Sequence, residues 1–385
     1  MLAPDSVELA DLAAEWRSAY VHIPFCRRRC PYCDFAVVAP GDLVATDLPA
    51  LTDRYLAALH NEIDMEPEWE PLAAVNFGGG TPSAIGAASL GAIIAHLDAR
   101  FSIVSEAEVS IEANPEDIDD ELVAGLVGAG VNRISLGVQS FDDDVLAALG
   151  RSHNAAQAVA AIEACLPHLA VAVDLIFGTP GESLESWRAT VDQTLALSPH
   201  HLSAYALTVE TGTELWKSVR AGAVAPDADD QADKYEYLML RAGDANLIRY
   251  EVSNYARTGH ACRYNLATWG QGEYLGFGLG AHGHRDGVRR RNVRAINAYV
   301  AAIEAGEAPE AGAEVEPDRE MERLILGLRR TCGVDLGERE WIALADPGVH
   351  RLVTAGVVAI ERGRMVVQRP LLTDEVGATV LSLSP

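Results

Sequence analysis

Three cysteines lie within eight residues, Cys26, Cys30 and Cys33, at the spacing Cys-x3-Cys-x2-Cys, with no fourth cysteine close by. Thiolates at this density hold metal. A cubane [4Fe–4S] cluster takes four cysteines as a rule, so three leave one iron open to a non-protein ligand. Structural zinc is the rival reading, and it needs four protein ligands. His22 or Asp34 could supply the fourth, but neither stands at finger spacing, and Asp34 adjoins Cys33 in the chain. The spacing therefore predicts an iron–sulfur site with an open corner.

A second set of candidate residues falls at the ends of short apolar runs. Strands are expected at 20–23, 73–77, 108–112, 133–138, 170–177 and 201–207, and amphipathic helices at 53–65, 89–101, 119–129, 143–149, 155–166 and 184–197. Repeated strand–helix units imply a parallel α/β sheet, either a partial barrel or a doubly wound sheet. The first strand runs into Cys26 and the second into Gly78-Gly79-Gly80-Thr81-Pro82. The third ends at Glu112, the fourth at Gln139, and the fifth carries Asp174. A barrel gathers every such strand end at one mouth, whereas a doubly wound sheet gathers only those at its switch point. Five successive functional-looking ends favour the barrel. The glycine run lacks the Lys-Ser/Thr of a phosphate-binding loop. It reads instead as backbone open to close approach by a ligand.

Taken together, these motifs resemble the radical SAM family: Tyr20-x-His-Ile-Pro-Phe-Cys26-x3-Cys30-x-Tyr32-Cys33, Gly78 to Pro82, Glu112-x-Asn-Pro, Gly137-Val-Gln139-Ser-Phe, Arg151 and Asp174-Leu-Ile-x-Gly178. More narrowly they resemble the branch that holds oxygen-independent coproporphyrinogen III oxidases and HemW-type haem chaperones. The resemblance implies a [4Fe–4S] cluster on Cys26, Cys30 and Cys33, with S-adenosylmethionine on the open iron. It places Tyr20 and Tyr32 beside the cluster and cofactor. Gly79, Gly80 and Thr81 would contact the methionine part, and Glu112, Gln139, Arg151 and Asp174 the rest of one or two cofactor molecules.

Within that branch, the oxidases carry a further cysteine where this chain has Phe35, and a longer segment before the motif. Both features resemble the chaperones. The chaperone motif His-Asn-x-x-Tyr-Trp aligns with Tyr264-Asn265-Leu-Ala-Thr268-Trp269, so tyrosine replaces its histidine, and Gly278-Leu-Gly-Ala-His282 follows. Tyr264, Asn265, Trp269 and His282 are thus the residues the resemblance connects with haem; Cys262, His260 and His284 are further possible iron ligands. The resemblance implies a chaperone with haem as cargo, delivered to haem-requiring, membrane-associated respiratory proteins. The alternative is an oxidase converting two propionates of coproporphyrinogen III to vinyls. Whether the chain is an enzyme stays open at this point.

The remaining chain bounds these readings. Its 385 residues are 49% hydrophobic and carry a formal charge of −26. That charge argues against nucleic acid or an anionic membrane as the main partner. No apolar run reaches the length of a membrane span. The mixed acidic start lacks a signal-peptide pattern. Three clustered and three scattered cysteines (Cys165, Cys262, Cys332) do not form a secreted disulfide framework. A cytoplasmic protein is expected. The composition assigns no oligomeric state.

Beyond residue 215 a long acidic helix is expected at 227–245 and a strand at 249–252. A polar aromatic stretch follows at 253–284, then a helix at 295–305 and an acidic linker at 309–317. An amphipathic helix at 318–330, a hairpin at 353–360 and 365–368, and a closing helix at 372–383 capped by Thr373 suggest a winged-helix-like unit. The expected organisation is an N-terminal segment 1–16, a partial TIM-type (β/α)6 radical SAM barrel 17–250, a connecting segment 251–308 with the haem-related motif, and a winged-helix-like domain 309–385.

Overall fold

The computed structural model describes residues 13–42, 47–315 and 318–382. Most of the expected N-terminal segment, the last two residues of the expected linker and the end of the closing helix lie outside the described residues.

Six strands pair in chain order and all in parallel: β1 (Ser18–Ile23), β2 (Leu72–Gly79), β3 (Ile103–Ala113), β4 (Arg133–Gln139), β5 (Ala170–Phe177) and β6 (His201–Ala206). Between them run α1 (Leu48–Met65), α2 (Gly86–Phe101), α3 (Asp120–Gly128), α4 (Asp143–Ala148), α5 (Ala155–Cys165) and α6 (Leu184–Leu197). The strand order never reverses, so the sheet has no switch point and is the expected partial barrel rather than a doubly wound sheet.

Side-chain alternation along the strands separates core from interior. On β4, Ile134, Leu136 and Val138 are fully buried in one hydrophobic cluster with Leu126 of α3 and Ile162 of α5. Each such side chain contributes about 1.5–3 kcal/mol on burial. Their neighbours Arg133, Ser135 and Gln139 face the opposite way, onto cavities. Local signals start the helices as well. Asp119 accepts from Leu122 N and Ser183 from Ser186 N, while Asn154 and Gln157 form a reciprocal capping box. Cys165 is buried within the main cluster, as its amphipathic helix implied.

The parallel strands are the middle of a 12-stranded sheet. Beyond β6 lie β7 (Ile248–Arg249) and β8 (Asn254–Ala256). At the other edge β9 (Tyr274–Phe277) pairs in parallel with β1. Then β10 (His282–Arg285), β11 (Val288–Asn292) and β12 (Glu310–Val315) add antiparallel strands. This corrects the sequence reading of 309–317 as a linker. Ala, Gly and Glu at 310–314 have weak strand propensity, but pairing with β11 satisfies their backbone groups, and tertiary pairing overrides propensity.

A separate cluster around Leu324, Val334, Met365 and Val376 holds the C-terminal unit. It combines helices Arg319–Gly327, Glu340–Ala345, Pro347–Thr354 and Thr373–Val380 with the antiparallel strands β13 (Val334–Asp335), β14 (Val358–Glu361) and β15 (Arg364–Val367). The expected hairpin turns at Arg362 and Gly363, both with positive φ. Thr373 does not cap its helix. It is the first helical residue, and its hydroxyl donates to Pro370 O at 2.6 Å.

One segment, Pro82–Phe101, is long and apolar enough to cross a membrane by length and composition. Its residues Leu90, Ile93, Ile94, Leu97 and Phe101 pack into the main cluster, which accounts for that apolarity.

Candidate functional site

The cysteine loop leaves the C-terminal end of β1 and is pinned along its length. Cys26 N donates to Val38 O (3.0 Å) and Val38 N to Pro24 O (2.8 Å). Arg29 Nη2 donates to Val37 O at 2.6 Å and reaches Asp42 Oδ2 at 2.9 Å. Leu215 N donates to Pro31 O at 2.8 Å. The three thiols are partly exposed and unpaired by disulfides. They line a cavity of about 440 Å³. Burial pushes the Cys26 thiol up to about 11 and also raises Cys33. Iron would reverse that, because a coordinated thiol is deprotonated.

The donor set fits a cluster better than zinc. Structural zinc needs a fourth protein ligand beside the three thiolates. His22, the candidate fourth ligand, has both ring nitrogens engaged, one 3.1 Å from Tyr20 OH and the other 2.9 Å from Ala36 O.

Around the loop, the strand ends converge. The 440 Å³ cavity is also lined by Tyr32, Gly79, Gly80, Thr81, Glu112, Gln139, Arg151 and Asp174. Every residue that the sequence singled out for the cofactor is there except Tyr20. Arg151 ties the pieces together. Its guanidinium reaches Cys30 Sγ at 3.5 Å, Asn114 Oδ1 at 2.5 Å and Gly137 O at 2.9 Å. Asn114 in turn donates to Thr81 Oγ1 (3.1 Å), whose hydroxyl lies 3.6 Å from Cys26 Sγ. Gln139, a non-glycine residue at φ +68°, holds a left-handed conformation at the cavity wall. Such strain persists where surrounding contacts fix it.

The glycine run works differently from a simple cradle. Gly79 N is 3.3 Å from Glu112 Oε2, Gly80 N donates to Ile23 O and Thr81 N to Phe25 O, both at 2.8 Å. Those amides are therefore already occupied. What glycine supplies here is room. A Cβ on Gly79, at φ +107°, would lie 2.3 Å from His22 Cε1, and one on Gly78 would lie 2.8 Å from Glu112 Oε1.

Glu112 and Asp174 project into the barrel as a carboxylate pair. Asp174 accepts from Ser135 Oγ at 2.8 Å. Burial, then the nearby Asp174 charge, lifts Glu112 to about 7, and burial raises Asp174 as well. Such a pair favours a cationic ligand, which would draw both into the ionised form.

A larger cavity of about 700 Å³ occupies the barrel interior and shares Phe35, Glu112, Asp174 and Tyr205 with the first. It reaches Arg133 and His201, at the opposite ends of β4 and β6 from the cluster. Tyr20, Tyr264, Asn265 and His282 line it, as does Cys262. Tyr264 stacks on Tyr20 with centroids 6.1 Å apart and meets Tyr274 edge-on. His282 is exposed at the wall. Burial and the cations Arg291, Arg294 and Arg289 lower its pKa, favouring a neutral imidazole. Trp269 lines neither cavity; its ring lies under the Arg329 guanidinium, 4.5 Å away. His260 packs against His200 outside both, and His284 is buried with Nδ1 3.0 Å from Gly272 O.

Sequence reading missed the polar barrel interior, including Ser135, His201, Ser203 and Tyr205, and Arg294; the run Arg289 to Arg291 stands out in the sequence as basic, but its place at this cavity does not. The signal was present in part: Arg-Ile-Ser-Leu-Gly-Val-Gln alternates polar and apolar within a strand that would otherwise be buried on both faces.

A parallel partial barrel with three thiols at its mouth and converging polar strand ends defines a class, and comparison with known proteins agrees. Residues 20–194 match the Radical SAM superfamily. Over 392 aligned residues the chain is 39% identical to the heme chaperone HemW of Mycobacterium tuberculosis, covering 97% of each. It is 34% identical to that of Bacillus subtilis, covering 83% of this chain and 84% of the relative. Its fold is similar to coproporphyrinogen III oxidase (HemN) from Escherichia coli, with a TM-score of 0.81, 20% identity, and coverage of 98% and 92%. The chain belongs to the HemW family of radical SAM proteins. That membership implies a [4Fe–4S] cluster and S-adenosylmethionine.

Proposed function

We propose that this chain is a haem carrier that receives haem in its barrel and passes it to haem-requiring, membrane-associated respiratory proteins in the cytoplasmic compartment. Cys26, Cys30 and Cys33 would hold the cluster, and S-adenosylmethionine would be its non-protein ligand. Glu112 and Asp174 would accept from a cationic or hydroxyl group of that cofactor. Arg151 lies against Cys30 Sγ and would steady its thiolate, and Gln139 stands at the cavity wall. Bound there, the two groups would supply one-electron radical chemistry. One observation carries this reading. The thiol-lined chamber shares a wall with a second chamber of about 700 Å³, within the size range of pockets for cofactor-sized ligands. His282 is the better-placed iron ligand, because it is exposed at the chamber wall while Tyr264 is held between Tyr20 and Tyr274. Anaerobic titration of the reconstituted protein with haem should give stoichiometric binding and a shifted Soret band. A flat titration under reducing conditions refutes the carrier reading.

The adjacency of the two chambers also suits an oxidase acting on coproporphyrinogen III. Anaerobic incubation with that substrate, cofactor and reductant decides between them: protoporphyrinogen formation favours the oxidase, and its absence alongside haem binding favours the carrier.

A further inference from the structure

Arg289, Arg290 and Arg291 are consecutive on β11, yet they meet different fates. Arg289 Nη2 lies 2.9 Å from Glu322 Oε1, and Arg290 Nε lies 3.4 Å from Glu310 Oε2. Arg291 has no carboxylate within ion-pair distance among the described residues. It stands opposite His282 on β10 and opposite Gly312 on β12. A Cβ on Gly312 would sit 3.5 Å from Arg291 Nε. The Arg291 guanidinium thus runs past Gly312 at ordinary van der Waals distance and lines the cavity. Arg294, three residues on, lines the same cavity and donates to the backbone carbonyl of Asp34, in the cysteine loop. Phe35 follows it in the chain, 60% exposed, and lines both chambers.

In a chain of formal charge −26, two guanidiniums at a chamber wall with no carboxylate in ion-pair distance among the described residues mark a place for an anion. Guanidinium groups pair with carboxylates through forked, charge-assisted hydrogen bonds. An exposed aromatic face alongside suits a flat apolar body.

We infer that Arg291 and Arg294 form a carboxylate-recognition pair that binds the two propionate groups of a tetrapyrrole seated beside Phe35. The inference rests on the carrier reading and adds to it how the cargo is oriented. Propionates held there would anchor the macrocycle beside the exposed ring of Phe35.

The test compares haem with its dimethyl ester, in which both carboxylates are blocked, on the full-length protein. The wild type should bind haem at least about tenfold more tightly than the ester, as expected for charge-assisted hydrogen bonds. The Arg291→Gln/Arg294→Gln double variant should bind both alike, at the affinity of the ester. Thermal unfolding of the variant should match wild type, since both side chains are exposed. Haem bound as well as its ester by wild type, or a preference that survives in the variant, overturns the pair and leaves the carrier reading intact. Absence of haem binding in wild type overturns both.

Discussion

The guanidinium of Arg151 reaches Cys30 Sγ at 3.5 Å while holding Asn114 Oδ1 and Gly137 O, so a single side chain couples the cysteine loop to the ends of β3 and β4. Replacing it with methionine keeps the bulk and removes the charge and donors. Two part-buried acceptors then lose their partner, at a cost of about 1 kcal/mol each. The cluster should still assemble, but its reduction potential should move to a more negative value, because a cation near the thiolate favours the reduced, more negative state. Spectroelectrochemical titration reads this, and an unchanged potential contradicts a role for Arg151 beside the cluster.

Cys30→Ala should remove one thiolate ligand and abolish the brown absorbance of the anaerobically reconstituted protein, together with S-adenosylmethionine binding. The fold should survive, because Cys30 lies in a loop and is only partly buried. Far-UV circular dichroism and iron content measured on the same sample separate the two effects. Native-level iron would refute the cluster assignment.

Gly79→Ala should destabilise the barrel by several kcal/mol. The residue sits at φ +107°, and its new methyl would fall 2.3 Å from the buried imidazole of His22. Left-handed strain costs about 1–3 kcal/mol, and overpacking a filled space about as much again. Gly243→Ala is the control. It lies in helix Ala228–Asp244 with nothing within 4 Å of a new Cβ, and it should gain about 0.4–1 kcal/mol. Urea unfolding midpoints should move in opposite directions.

Glu62 provides a pH signature away from the cluster. It is buried on α1 and accepts from Tyr299 OH (2.5 Å), Gly278 N (2.7 Å) and Asn292 Nδ2 (2.6 Å). Burial raises its pKa from 4.5 to about 7. The folded state thus binds a proton that the unfolded chain releases. Stability from this group is fully present below about pH 4.5 and is lost as pH rises through about 7. Glu62→Gln keeps the shape and removes the titration. The stability difference between wild type and variant should therefore slope across that window and level off above it, by up to about 3 kcal/mol. A difference that does not vary with pH contradicts the shift.

Much of this was legible before any fold was known. The strand–helix rhythm carried by runs such as 133–138 and 170–177 matches β4 and β5 closely, since a buried parallel strand must be apolar and its helix amphipathic. The far edge of the sheet was not legible. β10 to β12 are built mostly from His, Arg, Gly, Ala and Glu, whose own preferences do not favour strands, with valine only at Val288 and Val315. They become strands because β9 offers an edge to pair with. Trp269 shows the converse: a motif position that looked like part of a haem site packs instead beneath Arg329.

The sequence by itself determined the three-thiol loop and the parallel core, because local spacing and periodicity encode these directly, and its motif set carried the resemblance to the radical SAM family. Tertiary structure alone decided that the glycine run makes room for His22 and Glu112, that two chambers share the Glu112–Asp174 wall, and that Arg291 meets no carboxylate among the described residues. Those facts depend on groups far apart in the chain, from His22 to Arg294, meeting in space. Only the closing of the strands around one interior brings them together.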